Sequence, residues 1–351
     1  MPGSEFSAAN QIRRFMISVI ATVLNEGESL RGLLDSLAGQ TLPPDEIVMV
    51  DGGSTDGTLD VLRDYSSHLP LRVIESPGAG ISAGRNLAIR EAKGELIAVT
   101  DAGVVLVPEW LEALIAPLQQ DNDLQVVGGF FEADPRTVFE AALGATTLPL
   151  VDEIDPGRFL PSSRSVAFRR AAWEAVGGYP EWIDYCEDLI FDLRLKQHAE
   201  RWTFTPAAIA HFRPRSSLAA FYRQYYRYAR GDGKADLWRK RHAIRYATYL
   251  IALPILLSLL FLSEPPLRFV GLGLFVLAGS AYLRKPYARL PIVLETAAER
   301  GVFPLNARTW ILAALWVPIV RLTGDVAKML GYPVGWAWRL ENRPPNWREN
   351  R

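Results

Sequence analysis

Two uncharged apolar runs, separated by a short turn that contains two prolines, constrain this 351-residue chain more than any other feature. The first run has 18 uncharged residues between Arg245 and Glu264, and the second has 15 between Arg268 and Arg284. At about 1.5 Å per helical residue the first run reaches roughly 27 Å, close to the ~30 Å hydrocarbon core of a bilayer. The second approaches that length if its flanking arginines extend towards the headgroups. The pattern predicts a transmembrane hairpin over residues 246–284; two buried core helices are the alternative.

Basic residues on both outer sides of this hairpin predict its orientation. They are Arg239, Lys240, Arg241 and Arg245 before it, and Arg284, Lys285 and Arg289 after it. Since positive charge favours the cytoplasmic side, we expect a multi-pass protein of the cell membrane with both hairpin ends and the preceding domain in the cytoplasm. A third run over residues 309–320 has only 12 uncharged residues. It predicts interfacial or re-entrant helices and a basic tail over residues 285–351, with a full crossing as the alternative.

Composition excludes several classes of protein. With 49% hydrophobic residues the chain is not disordered, and its single cysteine, Cys186, cannot form an intrachain disulfide. The 38 basic and 39 acidic residues give a net charge of -1, so no chain-wide charge favours nucleic acid, and we expect no nucleic-acid partner. We interpret residues 1–14 as a disordered or tag-like N-terminus.

Residues 15–215 alternate apolar, β-rich runs with amphipathic helical patterns. The predicted strands include residues 17–24, 46–50 and 95–100, with a helix over residues 27–38. Such alternation is typical of an α/β domain with a Rossmann-like, mostly parallel sheet covered on both faces. Ligands bind beyond the carboxyl ends of such strands, and Glu26, Asp51 and Asp101 each follow one strand. We therefore predict that these three carboxylates lie at one edge of the sheet.

The residue types at this edge suit a nucleotide. A carboxylate can accept hydrogen bonds from a nucleobase imide or a ribose hydroxyl. Arg85 and Asn86 follow a flexible Gly-Ala-Gly segment, where they could contact a diphosphate and a ribose. Taken singly, the Gly-rich turn after Asp51 could be only a tight turn, and Arg85-Asn86 only a solvated helix start.

In order, the motifs SVIATVLNEGESL, IVMVDGGSTDGT, SAGRNLAIREAKGELIAVTDAG, VAFRRAAWEAVGGYPEW and CEDLIFDLRL resemble those of family 2 glycosyltransferases with the GT-A fold. The resemblance covers residues 17–206. It implies inverting transfer of a sugar from a nucleotide-diphosphate sugar, with Asp188 as the general base. By position it also implies that Thr22 and Glu26 line the nucleoside pocket, that Asp51 holds the base and that Asp101 begins the DxD motif.

That motif here reads Asp101-Ala102-Gly103, so the carboxylate that most often coordinates the divalent ion is absent. The resemblance implies a divalent metal, Mn²⁺ or Mg²⁺, held by Asp101 and by His211, which matches a metal-binding histidine of many GT-A enzymes. A structural, hydrogen-bonded histidine is the alternative for His211. Clustered arginines are the alternative to a metal for neutralising a leaving diphosphate.

Residues 216–245 are predicted to form a basic amphipathic interfacial helix or linker. From residue 212 to 245 the chain has ten Lys or Arg against two Asp, which should attract anionic lipids. The segment Gln224-Tyr225-Tyr226-Arg227-Tyr228 resembles a degenerate QxxRW motif of membrane-bound family members. The resemblance implies that Gln224, Arg227 and the nearby Arg230 contact the donor diphosphate or the acceptor.

Our hypothesis from sequence is a membrane-anchored inverting glycosyltransferase that uses a nucleotide-sugar donor and a membrane-proximal, lipid-linked acceptor such as a polyprenyl phosphate. Two short spans make a poor polysaccharide channel, which favours a single transfer, and the sequence leaves oligomerisation open. One alternative is a catalytically silent GT-A-like membrane scaffold, motivated by Gly103. A nucleotidyltransferase, which would release pyrophosphate, is the other.

Overall fold

A computed structural model describes residues 15–199 and 201–348, so the segment interpreted as tag-like, residues 1–14, lies outside the described residues. Within these ranges eight strands form one sheet: β1 (Ile17–Val23), β2 (Glu46–Asp51), β3 (Leu71–Glu75), β4 (Leu96–Val99), β5 (Val104–Leu106), β6 (Val126–Ala133), β7 (Val166–Arg169) and β8 (Trp202–Phe212).

The sheet has the order β3-β2-β1-β4-β7-β6-β8-β5. Its first four strands are mutually parallel, and β6 is parallel to β8. Strand β7 is antiparallel to β4 and β6, and β5 is antiparallel to β8. The strands of the parallel half are near-continuous apolar runs because both of their faces are covered, and all six residues of β2 are buried. The predicted α/β fold with a mostly parallel sheet is confirmed.

Seven helices of the same domain follow these strands: α1 (Leu30–Ala38), α2 (Thr58–Tyr65), α3 (Ile81–Glu91), α4 (Trp110–Gln120), α5 (Val138–Thr147), α6 (Arg170–Ala175) and α7 (Glu187–His198). Two apolar cores result, one on each face of the sheet. Leu33 of α1 and Trp110 of α4 belong to the first, and Ile89 of α3 and Phe191 of α7 to the second. With both faces filled, the carboxyl edge of β1, β2 and β4 is where a ligand can enter.

The C-terminal part is helical: α8 (Leu218–Lys234), α9 (Arg239–Ala247), α10 (Leu253–Leu262), α11 (Pro265–Glu299) and α12 (Ala307–Asn342). A π-helical turn joins α9 to α10, so Arg239–Leu262 is one continuous helix. It, α11 and α12 are each long and apolar enough to cross a membrane. The most apolar windows of the first two are 0% and 6% buried, which leaves their apolar side chains free to contact lipid. These helices fit the membrane anchoring expected from the sequence.

The basic segment before the hairpin, predicted over residues 216–245 as an interfacial helix or linker, contains two helices. Helix α8 ends at Lys234 and α9 begins at Arg239. Between them Asp236 and Trp238 have positive φ angles of 56° and 54°, which break the helix. The basic segment is therefore two helices joined by a tight bend.

Helix α12 extends well beyond the apolar run of residues 309–320 and packs along the catalytic domain. Its Ala313 and Val317 contact a cluster of alanines on α5. Further along, Gly331 and Gly335 face α8 so closely that a Cβ on Gly335 would overlap the carbonyl oxygen of Arg230. Small residues four apart allow such direct backbone contact between helices. The opposite face is an exposed apolar stripe: Ile311, Leu315, Ile319, Leu322, Val326, Leu330 and Val334.

One buried carboxylate joins the hairpin to α12. Asp325 Oδ1 accepts a hydrogen bond from Arg245 Nε at 2.8 Å. Its Oδ2 accepts from the hydroxyls of Tyr249 at 3.0 Å and Tyr282 at 2.7 Å. The Asp325 side chain thus ties both legs of the hairpin to α12 at a single point.

Candidate active site

Two adjoining cavities lie where the carboxyl edge of the sheet meets α8. The sheet-edge cavity, about 780 Å³, includes Thr22, Glu26, Asp101, Arg164 and Gln224 in its lining. The membrane-side cavity, about 510 Å³, is lined in part by Arg85, Glu187, Asp188, Arg241, Arg245 and Lys328. Both cavities share Ile81, Asp101, Arg164, Tyr225 and Tyr228. The two cavities therefore adjoin at these shared residues.

Helix α8 forms the wall between the sheet and the membrane helices. It begins at Leu218 because the Ser217 side chain caps it by accepting a hydrogen bond from the Ala220 amide. Its Phe221, Gln224, Tyr225 and Tyr228 recur at three- and four-residue spacing, so they share one face of the helix, and all four line the sheet-edge cavity.

The buried side chain of Arg85 forms ion pairs with two carboxylates, Glu187 and Asp101. Its Nη1 lies 2.9 Å from Glu187 Oε1 and its Nη2 lies 2.7 Å from Asp101 Oδ1, while the Arg85 side chain is only 2% exposed. Arg164 Nε lies 3.6 Å from the other Asp101 oxygen. Burial alone would raise the pKa of Asp101, but the two guanidinium groups hold that pKa below its usual range. Asp101 is therefore an ionised carboxylate with a cation at each oxygen.

Glu187 and Asp188 form the first turn of α7. The residue before them, Cys186, has a left-handed backbone conformation with φ of 68°. The Cys186 Sγ donates to the carbonyl of Tyr228 at 3.3 Å, which fixes this turn against α8. Burial and the neighbouring Asp188 raise the pKa of Glu187 to about 7 despite the opposing effect of Arg85. Asp188 itself is half-buried and lines the membrane-side cavity, as a base that meets a substrate must.

The residues predicted from sequence divide into those that line the cavities and those that do not. Thr22, Glu26, Asp101 and Gln224 line the sheet-edge cavity, and Arg85, Asp101 and Asp188 line the membrane-side cavity. Burial raises the pKa of Glu26, which fits a side chain at a partly enclosed ligand pocket.

Four predicted residues have other partners and line neither cavity. The Asp51 carboxylate accepts from the amides of Gly53 and Ser54, both at 2.9 Å, and closes the turn that follows β2. The Asn86 side chain bonds the backbone N–H and C=O of Tyr179, each at 2.8 Å. Arg227 donates to the Tyr185 hydroxyl at 3.0 Å, and Arg230 pairs with Asp184. These contacts help to shape the walls of the site, and the ligand contacts expected of these four residues stay predictions.

His211, which the sequence predicted to hold a metal with Asp101, does not line the sheet-edge cavity. Phe212 lines the sheet-edge cavity, and successive side chains of a strand point to opposite faces, so His211 faces away from it. His211 Nδ1 instead lies 3.8 Å from Glu132 Oε2. Among the described residues no group of three or more His, Cys, Asp or Glu side chains could hold a metal. With both Asp101 oxygens facing arginines and Gly103 in place of a ligand, the residues present do not fit a divalent ion.

Sequence reasoning did not assign several cavity-lining residues: Arg164, Arg215, Tyr225, Tyr228, Arg241, Arg245 and Lys328. Arg241 and Arg245 were counted only as basic residues that attract lipid headgroups. Lys328 lies in a helix that reads as a membrane segment, 140 residues after Asp188, as their numbers show. The available signal was the ionisable side chain itself, since charged groups within such helices are usually functional.

A nucleotide-sized cavity at the carboxyl edge of a Rossmann-like sheet, beside a second cavity lined by a candidate base, is typical of a GT-A-type sugar-transferring enzyme. The sequence profile described as "Glycosyl transferase family 2" matches residues 18–167, and that of "Glycosyl transferase family group 2" matches residues 97–320. The chain belongs to family 2 of the glycosyltransferases.

Known proteins agree with this assignment. Glycosyltransferase AglE of Haloferax volcanii is 26% identical over 258 residues, which cover 71% of this chain and 82% of AglE. Succinoglycan biosynthesis protein ExoA of Rhizobium meliloti is 27% identical, with 78% and 89% covered. Among solved structures, mannosyltransferase PcManGT of Pyrobaculum calidifontis, in complex with GDP-Man and Mn²⁺, has a TM-score of 0.52 at 21% identity, with 94% of this chain and 88% of PcManGT covered. The GT-A fold and the glycosyltransferase class predicted from the sequence are confirmed.

Proposed function

We propose that this protein is an inverting glycosyltransferase that moves a sugar from a nucleotide-diphosphate sugar to a lipid-linked acceptor, with Asp188 as the general base. The observation that carries the proposal is that the two cavities adjoin and share lining residues. Asp101 and Arg164 lie where both cavities meet, and Asp188 lines the cavity that reaches the membrane helices. A donor in one cavity and an acceptor in the other would meet beside Asp188.

The sheet-edge cavity suits the donor. Its volume of about 780 Å³ falls in the range of ordinary ligand pockets, roughly 300–1,000 Å³. The structural relative PcManGT was solved with GDP-Man, which supports a nucleotide sugar here. PcManGT also holds Mn²⁺, but the residues around Asp101 in this chain do not fit a metal. We therefore assign the neutralisation of the diphosphate to Arg164, Arg213 and Arg215, which line this cavity.

The reaction follows from these positions. Asp188 takes the proton from an acceptor hydroxyl, whose oxygen attacks the anomeric carbon of the donor sugar. The bond from that carbon to the diphosphate oxygen breaks, and the nucleoside diphosphate leaves with the electron pair. Attack from the side opposite the leaving group inverts the configuration at that carbon. Arg85 orients Glu187 beside the base, and Arg164 offsets the charge that develops on the diphosphate.

The helices support a membrane-embedded acceptor. We propose that residues 15–215 form the catalytic domain in the cytoplasm, that residues 246–284 cross the cell membrane as a hairpin, and that anionic lipids bind the basic segment between them. We further propose that α12 is interfacial, because α5 and α8 cover one face along its length while its apolar stripe is exposed. A lipid-linked acceptor would then reach the membrane-side cavity without leaving the bilayer surface.

The test is turnover of a panel of nucleotide sugars by the purified full chain in lipid vesicles, with Mn²⁺, Mg²⁺ or EDTA. We expect release of a nucleoside diphosphate, and we expect Asp188→Asn to lower kcat by about 10²–10⁴-fold, as loss of a general base does. Asp60→Asn, at an exposed carboxylate on α2, is the control and should keep full activity. We expect EDTA to leave turnover unchanged.

Other outcomes would select the alternatives. Pyrophosphate among the products would indicate a nucleotidyltransferase. An absence of turnover with every donor, in a folded protein whose biological activity survives Asp188→Asn, would indicate a silent scaffold.

A further inference from the structure

The membrane-side cavity is lined by charges of both signs. Glu187 and Asp188 of α7 line it, with Glu187 paired to Arg85, and Asp184 and Asp232 line it as well. The end that the membrane helices form carries Arg241 and Arg245 of α9 and Lys328 of α12. The latter three cations come from helices adjoining the hairpin and are far from Asp188 in sequence.

Two of the three cations form no salt bridge among the described residues, although Asp325 and Asp232 attract Lys328 from a longer distance. Arg245 binds Asp325, and the nearby Asp232 is engaged by His242 at 3.1 Å. Lys328 Nζ lies 4.8 Å above the ring of Tyr225, and the Arg241 guanidinium lies 4.2 Å from the ring of Trp238. In the part of the chain that the structure describes, neither Lys328 nor Arg241 forms an ion pair.

The position of Lys328 is costly without a ligand, whereas Arg241 is exposed to solvent. Lys328 is half-buried between α8 and α12, and a cation taken out of water needs an anion or several acceptors to offset its lost hydration. Aromatic rings supply only part of that compensation, about 0.5–2 kcal/mol for a cation–π contact. The remaining charge is available to an anion that enters from the membrane side.

We propose that Lys328 and Arg241 bind the phosphate group of the lipid acceptor, with Arg245 lining the same end of the cavity. This inference rests on the proposed function and adds the chemical class of the acceptor: a lipid that carries a phosphate at the cation end and offers a nucleophilic oxygen to Asp188. The apolar tail would lie along exposed hairpin residues close to Arg245 in sequence, such as Ile244, Leu250 and Ile251. That contact favours a lipid phosphate over free phosphate.

The experiment measures binding rather than turnover, using the detergent-solubilised full chain and isothermal titration calorimetry. The probes are farnesyl phosphate, farnesol and inorganic phosphate. We expect farnesyl phosphate to bind at least tenfold more tightly than either of the others. Lys328→Met and Arg241→Gln should each weaken farnesyl phosphate at least tenfold and leave farnesol unchanged. Lys328→Arg should restore most of the affinity.

Lys240→Gln is the matched control, because Lys240 is adjacent to Arg241 in the same basic helix but does not line the cavity. It should change the affinity less than twofold. Equal weakening by Lys240→Gln would show general attraction to headgroups, and equal binding of farnesyl phosphate and farnesol would show an apolar site only; either result overturns the proposal. Inorganic phosphate that bound as tightly as farnesyl phosphate would overturn the lipid assignment.

Thermal unfolding separates a binding role from a structural one. If Lys328 serves a ligand, removing its uncompensated charge should leave the melting temperature of Lys328→Met unchanged or raise it. A fall of several degrees would assign Lys328 to the fold instead. Farnesyl phosphate binding needs no donor, so the two proposals can fail separately. If only the phosphate subsite is wrong, nucleoside diphosphate is released but farnesyl phosphate does not bind as predicted. If only the transferase function is wrong, farnesyl phosphate binds but no nucleoside diphosphate is released.

Discussion

Cys186 has a backbone conformation that few residues other than glycine adopt, and it does so directly before the two carboxylates of the site. The left-handed turn at φ of 68° ends the loop that follows α6 and begins α7 so that Glu187 reaches Arg85. Strain of this kind clusters at functional sites because the surrounding contacts have to maintain it. Nothing in the sequence signals a left-handed cysteine, so the sequence placed Asp188 through its motif and left the geometry of the turn unexplained.

We expect Cys186→Val to reduce the free energy of unfolding by about 1–2 kcal/mol or more, because a β-branched side chain clashes in the left-handed region. Cys186→Gly is the matched variant, since glycine adopts this conformation without strain. Both variants lose the Sγ hydrogen bond to Tyr228, so Cys186→Gly should be more stable than Cys186→Val by the cost of the backbone strain. Thermal or denaturant unfolding of both variants measures the difference, and equal losses would contradict a role for the backbone.

The raised pKa of Glu187 predicts a pH dependence. As the pH falls through about 7, Glu187 takes up a proton, and the site loses negative charge beside the base that draws a proton from the acceptor. We expect kcat/KM to fall on the acid side of about pH 7. Glu187→Gln, which still accepts a hydrogen bond from Arg85, should move this limb to lower pH.

The free energy of unfolding should change with pH in the opposite direction to kcat/KM. The folded chain binds this proton more tightly than the unfolded chain does, since the ordinary pKa is 4.5. Relative to Glu187→Gln, the wild type should therefore lose stability as the pH rises from about 4.5 to about 7. Unfolding curves for both proteins across this range check the sign, and parallel curves would contradict it.

At the residue scale, strand ends were the most predictable feature. Thr22, Glu26 and Asp101 line a cavity as expected, because a parallel strand that ends at a polar residue fixes where that residue lies. Asp51 also ends a strand, but the amides of the next turn occupy its oxygens, and sequence does not reveal that competition. His211 does not line the cavity although its neighbour Phe212 does, because consecutive side chains of a strand point to opposite faces of the sheet.

Among the elements, the crossing of α8 and α12 does most to fix the shape of the site. Gly331 and Gly335 of α12 contact the backbone of α8, while the other face of α8 carries Tyr225 and Tyr228 into both cavities. The sequence predicted that both segments are helical from their periodicity. It did not predict their contact, because two glycines four apart fit many partners. The break at residues 235–238 was missed for a similar reason, since Asp236 and Trp238 give no signal of positive φ.

We expect Gly335→Ala to separate these helices. The added methyl group would overlap the carbonyl oxygen of Arg230, and a backbone atom cannot move aside as a side chain can. Overpacking of this kind typically costs about 1–3 kcal/mol, and here it should also lower turnover because the aromatic wall shifts. Gly279→Ala in α11 is the matched control, since its Cβ would meet open space. The test compares the melting temperature and kcat of Gly335→Ala with those of Gly279→Ala. Equal values for the two variants would contradict close packing of α8 against α12.

In the molecule as a whole, the catalytic domain rests directly on its membrane helices. The alanines of α5 pack against Leu290 and Leu294 of α11 and against α12. At the edge of this contact Glu153 pairs with Arg289 at 2.6 Å, and that hydrogen bond lowers the pKa of Glu153. Hydropathy predicted the hairpin and charge predicted its orientation. The docking of the two parts was not predictable, because α5 reads in sequence as an ordinary helix of an α/β domain.

The proposed topology predicts a labelling pattern. In a Cys186→Ala background, we expect Ser263→Cys at the hairpin turn to react with a membrane-impermeant maleimide only from outside the cell. Glu174→Cys, at an exposed position of α6, should react only after the membrane is opened. Ser263→Cys that reacts from neither side would indicate a hairpin that enters the bilayer without crossing it.

The close fit of α12 against α5 and α8 has a consequence for the size of the product. The exposed apolar stripe of α12 and the base Asp188 belong to one packed unit. In the proposed topology, the fold would therefore fix the distance from Asp188 to the membrane surface, and this distance would not change with the substrate. An acceptor held by its phosphate would present to the base only those hydroxyl groups that lie at one particular distance from the bilayer. A glycan that has grown past that distance would no longer reach the base, so the protein would limit chain length by geometry alone.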